Sequence, residues 1–194
     1  MRDSGFGPGV IVLGGGAGLL GIFLGIGFLL PTDWEAEATG PLDATSAEVM
    51  AFLDSPEGWQ AWTPWPDSNL VRSGPERGLG AQISWNDREL GSGAFTIGEL
   101  SDGEAVAYSV EVAGAGSAVM RTHGIITVAP ISDGVLVRWR EEGSLGRNPL
   151  MGYWALSMER AQSVEMEKGL NRLGEVVRAA RDSVRSATGS SPSR

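Results

Sequence analysis

The chain holds a single histidine, His123, and no cysteine, which narrows the chemistry open to it. Cysteine nucleophiles, thiolate metal sites and disulfides are excluded, as is any centre or mechanism that needs two imidazoles. An imidazole titrates near neutrality, so His123 is a candidate acid or base. It shares strand parity with Arg121, Ile125 and Thr127, and Glu99, Glu111 or Glu141 would have to reach it from neighbouring strands. A lone strand histidine more often serves structure or faces solvent, and no catalytic residue is assigned. Ser92, in Gly91-Ser92-Gly93, lacks the strand-turn-helix setting of a nucleophile elbow. Gly14-Gly15-Gly16-x-Gly18 looks like a dinucleotide loop by composition only, because it lies inside an unbroken apolar run. No metal or cofactor is expected.

The aromatic residues offer a different chemistry, that of apolar recognition. Trp59, Trp62 and Trp65 recur at every third position. Large rings at that spacing either pack short helices onto a sheet rim or stack on a flat or apolar ligand. Together with Trp85, Phe95, Ile97, Tyr108, Ile125, Trp139, Tyr153, Trp154, Leu170 and Leu173 they are candidates to line a pocket, and His123 joins them as a polar member. Strand parity decides which of them point inward. A pocket of this kind is mostly apolar and selects by shape.

The elements that would position these residues follow from pattern. Trp34, Ala36 and Ala38 alternate with Glu35, Glu37 and Thr39, a strand with one wet face that Pro41 is expected to end. Thr45 to Glu48 forms a capping box ahead of Val49, Met50, Phe52 and Leu53, the apolar side of a short helix. Pro56 can open a second short helix. Strands are then expected around Leu70, at 81–86, 94–100, 105–112, 119–129 and 135–142. Turn signals separate them at 78–80, 91–93, 101–103, 114–117 and 132–134. Short connections argue an antiparallel meander. Met166, Leu170, Leu173, Val177, Ala180 and Val184 then mark one face of a long helix beginning near Leu150 or Met158, with Ser186 to Arg194 a disordered tail. The expected class is α+β, a curved antiparallel sheet around a long C-terminal helix, preceded by one membrane-spanning helix.

That last element rests on residues 10–30, VIVLGGGAGLLGIFLGIGFLL, which carry no charge. At about 1.5 Å per residue the run spans about 30 Å, the thickness of a bilayer's hydrocarbon core. A cleaved signal peptide would have a basic start and a shorter apolar stretch, and Ala36-Glu37-Ala38, its nearest cleavage pattern, lies inside the first strand. A buried helix in water would be weakened by seven glycines in this run. In lipid the helix forms regardless, because an unpaired backbone is too costly there. The expected divisions are therefore a short tail (1–9), an anchor (10–30), a ligand-binding domain (34–185) and the tail (186–194). Gly14 and Gly18, and then Gly21 and Gly25, are each spaced four residues apart, as suits a homodimer face. Arg2 before the run favours a cytoplasmic N-terminus, the acidic Asp33, Glu35 and Glu37 after it counting for little.

The net charge is −9, concentrated between Asp33 and Ser157, where 7 basic and 18 acidic residues leave −11. An acidic body without a basic stripe repels phosphate backbones, so nucleic acid is not an expected partner.

Ala44, Ala47-Glu48-Val49-Met50-Ala51-Phe52-Leu53-Asp54 and Trp59-x-x-Trp62-x-Pro64-Trp65, after Trp34, open a pattern that Gly78-x-Gly80, Trp85, Gly91-Ser92-Gly93 and Val137-x-Trp139-x-x-x-Gly143 continue. Asn148-Pro149, Met158 and Glu165-x-Glu167-Lys168-Gly169-Leu170-x-x-Leu173 close it. Over residues 34–180 this resembles the polyketide cyclase/dehydrase-like branch of the START/Bet v 1-like (SRPBCC) superfamily. The resemblance implies a helix-grip fold with a hydrophobic cavity between sheet and C-terminal helix, holding lipids, sterols, polyketides or other apolar molecules. Three readings follow. The first is membrane-anchored binding of a hydrophobic or lipid-like molecule without catalysis. The second is a polyketide cyclase or dehydratase-like enzyme using His123 as acid or base. The third is a structural or adaptor protein of a membrane complex, its interior filled by side chains.

Overall fold

The computed structural model describes residues 8–65, 69–87, 91–101, 103–113, 119–145 and 149–189, with side chains from residue 19 to 187. Helix α1 (Pro8–Leu29) leads into strand β1 (Asp33–Leu42) and two single-turn helices, α2 (Ser46–Met50) and α3 (Pro56–Gln60). Strands β2 (Val71–Ser73), β3 (Gln82–Asp87), β4 (Gly91–Ser101), β5 (Ala105–Ala113), β6 (Val119–Ile131) and β7 (Gly134–Ser144) follow, then helix α4 (Pro149–Gly189). The strands form one seven-stranded sheet in the order β1-β7-β6-β5-β4-β3-β2, and every neighbouring pair is antiparallel. This is the helix-grip layout expected from the patterning.

Alternation sets the two faces of the sheet. On β1, Trp34, Ala36 and Ala38 are buried while Glu35 and Glu37 are exposed. On the outer face those glutamates pair with Arg140 and Arg138 across β7. The inner face meets α4 through Met166, Leu170, Leu173 and Val177, all buried. Beyond Val177 the expected helical face runs out of core, and Val184 is 66% exposed. The helix itself continues to Gly189, so residues 186–189 are helical, and 190–194 lie outside the described residues.

Two local expectations need correction. Pro41 does not end β1, which pairs with β7 as far as Leu42 opposite Val135. β1 is an edge strand, where a residue without an N–H is tolerated. Gly91 to Gly93 is strand and not a break, since β4 starts at Gly91 and pairs with Asp87. The turn expected at 114–117 falls outside the described residues.

α2 carries the capping box read from sequence. Thr45 Oγ1 accepts from Glu48 N at 3.3 Å, and Glu48 Oε2 accepts from Thr45 N at 2.7 Å. The bonds that the Glu48 carboxylate accepts from Thr45 N and Thr45 Oγ1 hold it below its ordinary range. Replacing Thr45 by alanine is expected to lower stability by about 1 kcal/mol, read as a shifted urea midpoint with unchanged slope.

α1 packs on the start of α4. Phe23 and Tyr153 stack with centroids 4.5 Å apart and planes 4° from parallel, and Tyr153 Oη donates to the Phe23 carbonyl at 2.8 Å. The approach is close because it is built on glycines. A Cβ at Gly152 would lie 2.5 Å from Leu30 Cβ, and one at Gly27 would fall on the Pro149 carbonyl. At Gly21 and Gly25, by contrast, a Cβ would meet nothing within 4 Å; the surroundings of Gly14 and Gly18 lie outside the described residues. Most of the apolar side chains on residues 19–29 are exposed, Leu29 at 86% and Leu19 at 71%. Among the described residues no helix is long and apolar enough to cross a membrane, so the spanning helix expected at 10–30 is not found there.

Candidate functional site

The interior between the sheet and α4 is organised around Trp59. Ser55 caps α3 by accepting from Gly58 N at 3.1 Å, and the short helix turns Trp59 and Trp62 into the core. Trp59 Nε1 donates to the Leu53 carbonyl at 2.6 Å, which satisfies the one polar atom of a buried ring. Its ring stands 4.8 Å from Trp62, 4.8 Å from Phe95, 4.7 Å from Tyr108 and 6.2 Å from Trp139. Trp65 meets Trp85 and Phe95 edge-on, at 5.6 and 5.3 Å.

So many large rings fit on one face because glycines lie beneath them. Trp85 lies over Gly93 on the next strand, Tyr108 over Gly124, and Trp34 over Gly143. Trp139 faces Gly169 of α4, where a Cβ would sit 2.6 Å from the ring. In each case a side chain would collide with an aromatic ring packed at interior density.

The rings do not fill the space. A cavity of about 460 Å³ remains, floored by the buried Trp59, Phe95, Tyr108, Trp139, Glu141 and Met166. Half-exposed Trp65, Trp85, Val110, Val112 and Gln162 form its rim with the exposed Glu165. Register locates the opening. Asp33, Ser144, Arg121, Glu111, Ala94 and Ser84 are successive partners across the sheet. Trp85 and Val112 lie one step beyond that row, on the side where α1 joins β1.

One polar cluster is set into the floor. Tyr108 Oη donates to Glu141 Oε1, Gln162 Nε2 donates to Glu141 Oε2 at 2.5 Å, and Trp139 Nε1 donates to Tyr108 Oη at 2.6 Å. Burial pushes the Glu141 carboxyl above its ordinary range, against the lowering effect of these donors. Burial and the adjacent carboxylate push the Tyr108 phenol well above its own, so it stays a donor at neutral pH. A carboxyl whose pKa is raised in the folded state stabilises that state below its unfolded value, and the contribution is lost as pH rises through the raised one. Glu141→Gln is therefore expected to raise the melting temperature at pH 7 and to leave it nearly unchanged at pH 4, measured by scanning calorimetry.

The residues expected from sequence divide accordingly. Trp59, Trp65, Trp85, Phe95, Tyr108 and Trp139 line the cavity. Trp62, Ile97, Leu170 and Leu173 are buried core behind it. Tyr153 instead packs on α1, and Trp154 is 60% exposed. His123 is exposed on the outer face of the sheet, opposite Glu142 and beside Arg121, and does not reach the cavity. Ile125, next on that face, is 41% exposed. Glu141, Gln162, Val110, Val112, Met166 and Arg172 line the cavity without having been singled out as lining residues. For Glu141 the signal was present, since it extends the inward row of Val135, Val137 and Trp139. Among the described residues no cluster of acidic or histidine side chains is arranged to hold a metal ion.

Comparison with known proteins agrees with this geometry. No curated protein matches the chain in sequence. An uncharacterized protein from Rhizobium leguminosarum superposes with a TM-score of 0.56 at 15% identity, over 76% of this chain and 95% of its own. The Mll3558 protein from Rhizobium loti gives 0.56 at 11%, over 74% and 96%. A norcoclaurine synthase from Thalictrum, a point mutant solved with a transition-state analogue, gives 0.59 at 9%, over 77% and 96%. At such identities the likeness is one of fold. The family model described as polyketide cyclase / dehydrase and lipid transport matches residues 33–178, from the first residue of β1 to well along α4, and the chain belongs to that family.

Proposed function

We propose that this protein is a membrane-tethered binder of a hydrophobic small molecule, held without chemistry in the cavity between sheet and α4. The observation that carries the reading is the cavity, about 460 Å³ walled largely by aromatic and aliphatic side chains. That volume is in the range of drug-sized ligand sites. The alternative of a purely structural domain called for a side-chain-filled interior. The enzymatic alternative built on His123 loses its base, because His123 faces away from the cavity.

The tether rests on the uncharged run at residues 10–30 and on the exposure of Leu19, Leu20, Ile22, Phe28 and Leu29. Further exposed apolar residues lie at the same end of the molecule, namely Val119 and Met120 at the start of β6 and Leu150 and Trp154 on the first turns of α4. A cavity whose rim is at that end exchanges its ligand next to the bilayer, where an apolar molecule is concentrated. Arg2 ahead of the run favours a cytoplasmic N-terminus.

Native mass spectrometry of the detergent-extracted full chain tests the binding. A co-purified small molecule that is lost when Val110→Trp fills the cavity supports the reading. Recovery of the protein without any small molecule, together with no thermal shift from a panel of lipids and sterols, would overturn it.

A further inference from the structure

The floor of the cavity holds a buried carboxyl group with no cation beside it. Glu141 is 6% exposed, and its partners Tyr108 and Gln162 are neutral donors. Among the described residues no lysine, arginine or histidine lies within ion-pair distance of it. The two other charged groups that line the cavity are placed differently. Arg172 donates from Nε to the Trp62 carbonyl at 2.8 Å. Glu165 is exposed, bonded to Lys168 at 2.7 Å, and feels the charge of Arg172. The rim is thus balanced within itself, and the floor is not.

The donors around Glu141 all point one way. Trp139 donates to Tyr108 and Tyr108 donates to Glu141, while Gln162 donates to the other oxygen. This chain of bonds orients an acceptor and leaves it without a counter-charge. A buried carboxylate without a partner is costly, whereas one that meets a cation and keeps its hydrogen bonds is tolerated. Around the carboxylate stand the rings of Trp59, Phe95, Tyr108 and Trp139, and aromatic faces attract ammonium groups, most strongly where water is excluded. At the rim, Trp85 Nε1 is buried with no acceptor among the described residues.

We infer that the ligand is a cationic amphiphile, an amine whose ammonium group seats on Glu141 within the aromatic floor while its apolar body runs toward the rim. This deepens the binding reading above and rests on it. A neutral apolar ligand would leave the carboxylate unpaired, and an anionic one would be repelled by it.

Three water-soluble probes on one skeleton separate the possibilities, 2-(2-naphthyl)ethylamine, 2-(2-naphthyl)ethanol and 3-(2-naphthyl)propanoate. Each is titrated at pH 7 by isothermal calorimetry into the detergent-solubilised full chain and into its Glu141→Gln variant, which keeps an acceptor oxygen and removes the charge. The amine is expected to bind at least tenfold more tightly than the alcohol, and the propanoate most weakly. In Glu141→Gln the amine should lose its advantage over the alcohol, with circular dichroism of the variant showing that it is folded. Equal binding of amine and alcohol to the wild type, or an unchanged amine affinity in Glu141→Gln, would overturn the inference and leave the cavity reading standing. Binding of none of the three would overturn both.

Discussion

Replacing Gly124 by valine should abolish ligand retention while the protein still folds, with a loss of about 1–3 kcal/mol in stability from overpacking. Gly124 lies on β6 opposite Tyr108, and a Cβ there would fall on the phenol ring. A branched side chain must push that ring toward Trp59, whose centroid is only 4.7 Å away. The displaced phenol then occupies the space a ligand needs and gives up its bond to Glu141. Native mass spectrometry reads the ligand, and urea unfolding reads the cost. Retention of the small molecule in Gly124→Val, or a loss of stability without loss of ligand, would show that Tyr108 does not bound the site.

The second large effect concerns the tether. Leu19→Arg combined with Ile22→Arg places two charges near the middle of the apolar run, at positions 71% and 61% exposed. A charged residue at the centre of a spanning helix costs about 2.5–3.5 kcal/mol on insertion scales, so the pair is expected to prevent stable insertion. The full-length variant should move from the carbonate-resistant membrane fraction to the supernatant. Its circular dichroism should be retained, because both side chains are largely exposed. A double variant that stays in the membrane fraction would refute the tether. A singly substituted Leu29→Arg, at the end of the run, should remain in the membrane, since its long side chain can reach the interface.

Much of the fold was legible because its signals are local and periodic. The two-residue alternation of β1, the capping box at Thr45 and the stripe from Met166 to Val177 each name both an element and its buried face. Where sequence reading went astray, the deciding contact was distant. Pro41 reads as a stop until β1 is known to be an edge. Gly93 reads as a break until the indole of Trp85 is seen lying over it. Tyr153 looks like cavity lining on spacing alone, yet it stacks on Phe23, some 130 residues earlier in the chain.

The site was legible in its aromatic half and not in its polar half. Large rings have few places to go other than the interior, so Trp59, Phe95 and Trp139 could be nominated on type. Glutamate defaults to the surface, and in this chain most glutamates are there. Only the parity of Glu141 with Trp139 marked it, and only the packing of α4 against the β1 edge of the sheet brings Gln162 to it. His123 drew attention because it is a singular residue. Its neighbour in register, Gly124, is the one that faces inward, beneath Tyr108.

Photoaffinity labelling tests the central claim, that the cavity takes a hydrophobic molecule, most directly. The full chain is reconstituted in lipid nanodiscs with a diazirine-bearing long-chain amine, irradiated and mapped by peptide mass spectrometry. Adducts on Met166, Val110 or Trp59, with a marked reduction in Val110→Trp, are the expected result. Adducts confined to α1 and the first turns of α4, unchanged by Val110→Trp, would mean that the probe meets the protein only through the bilayer and that the cavity stays empty.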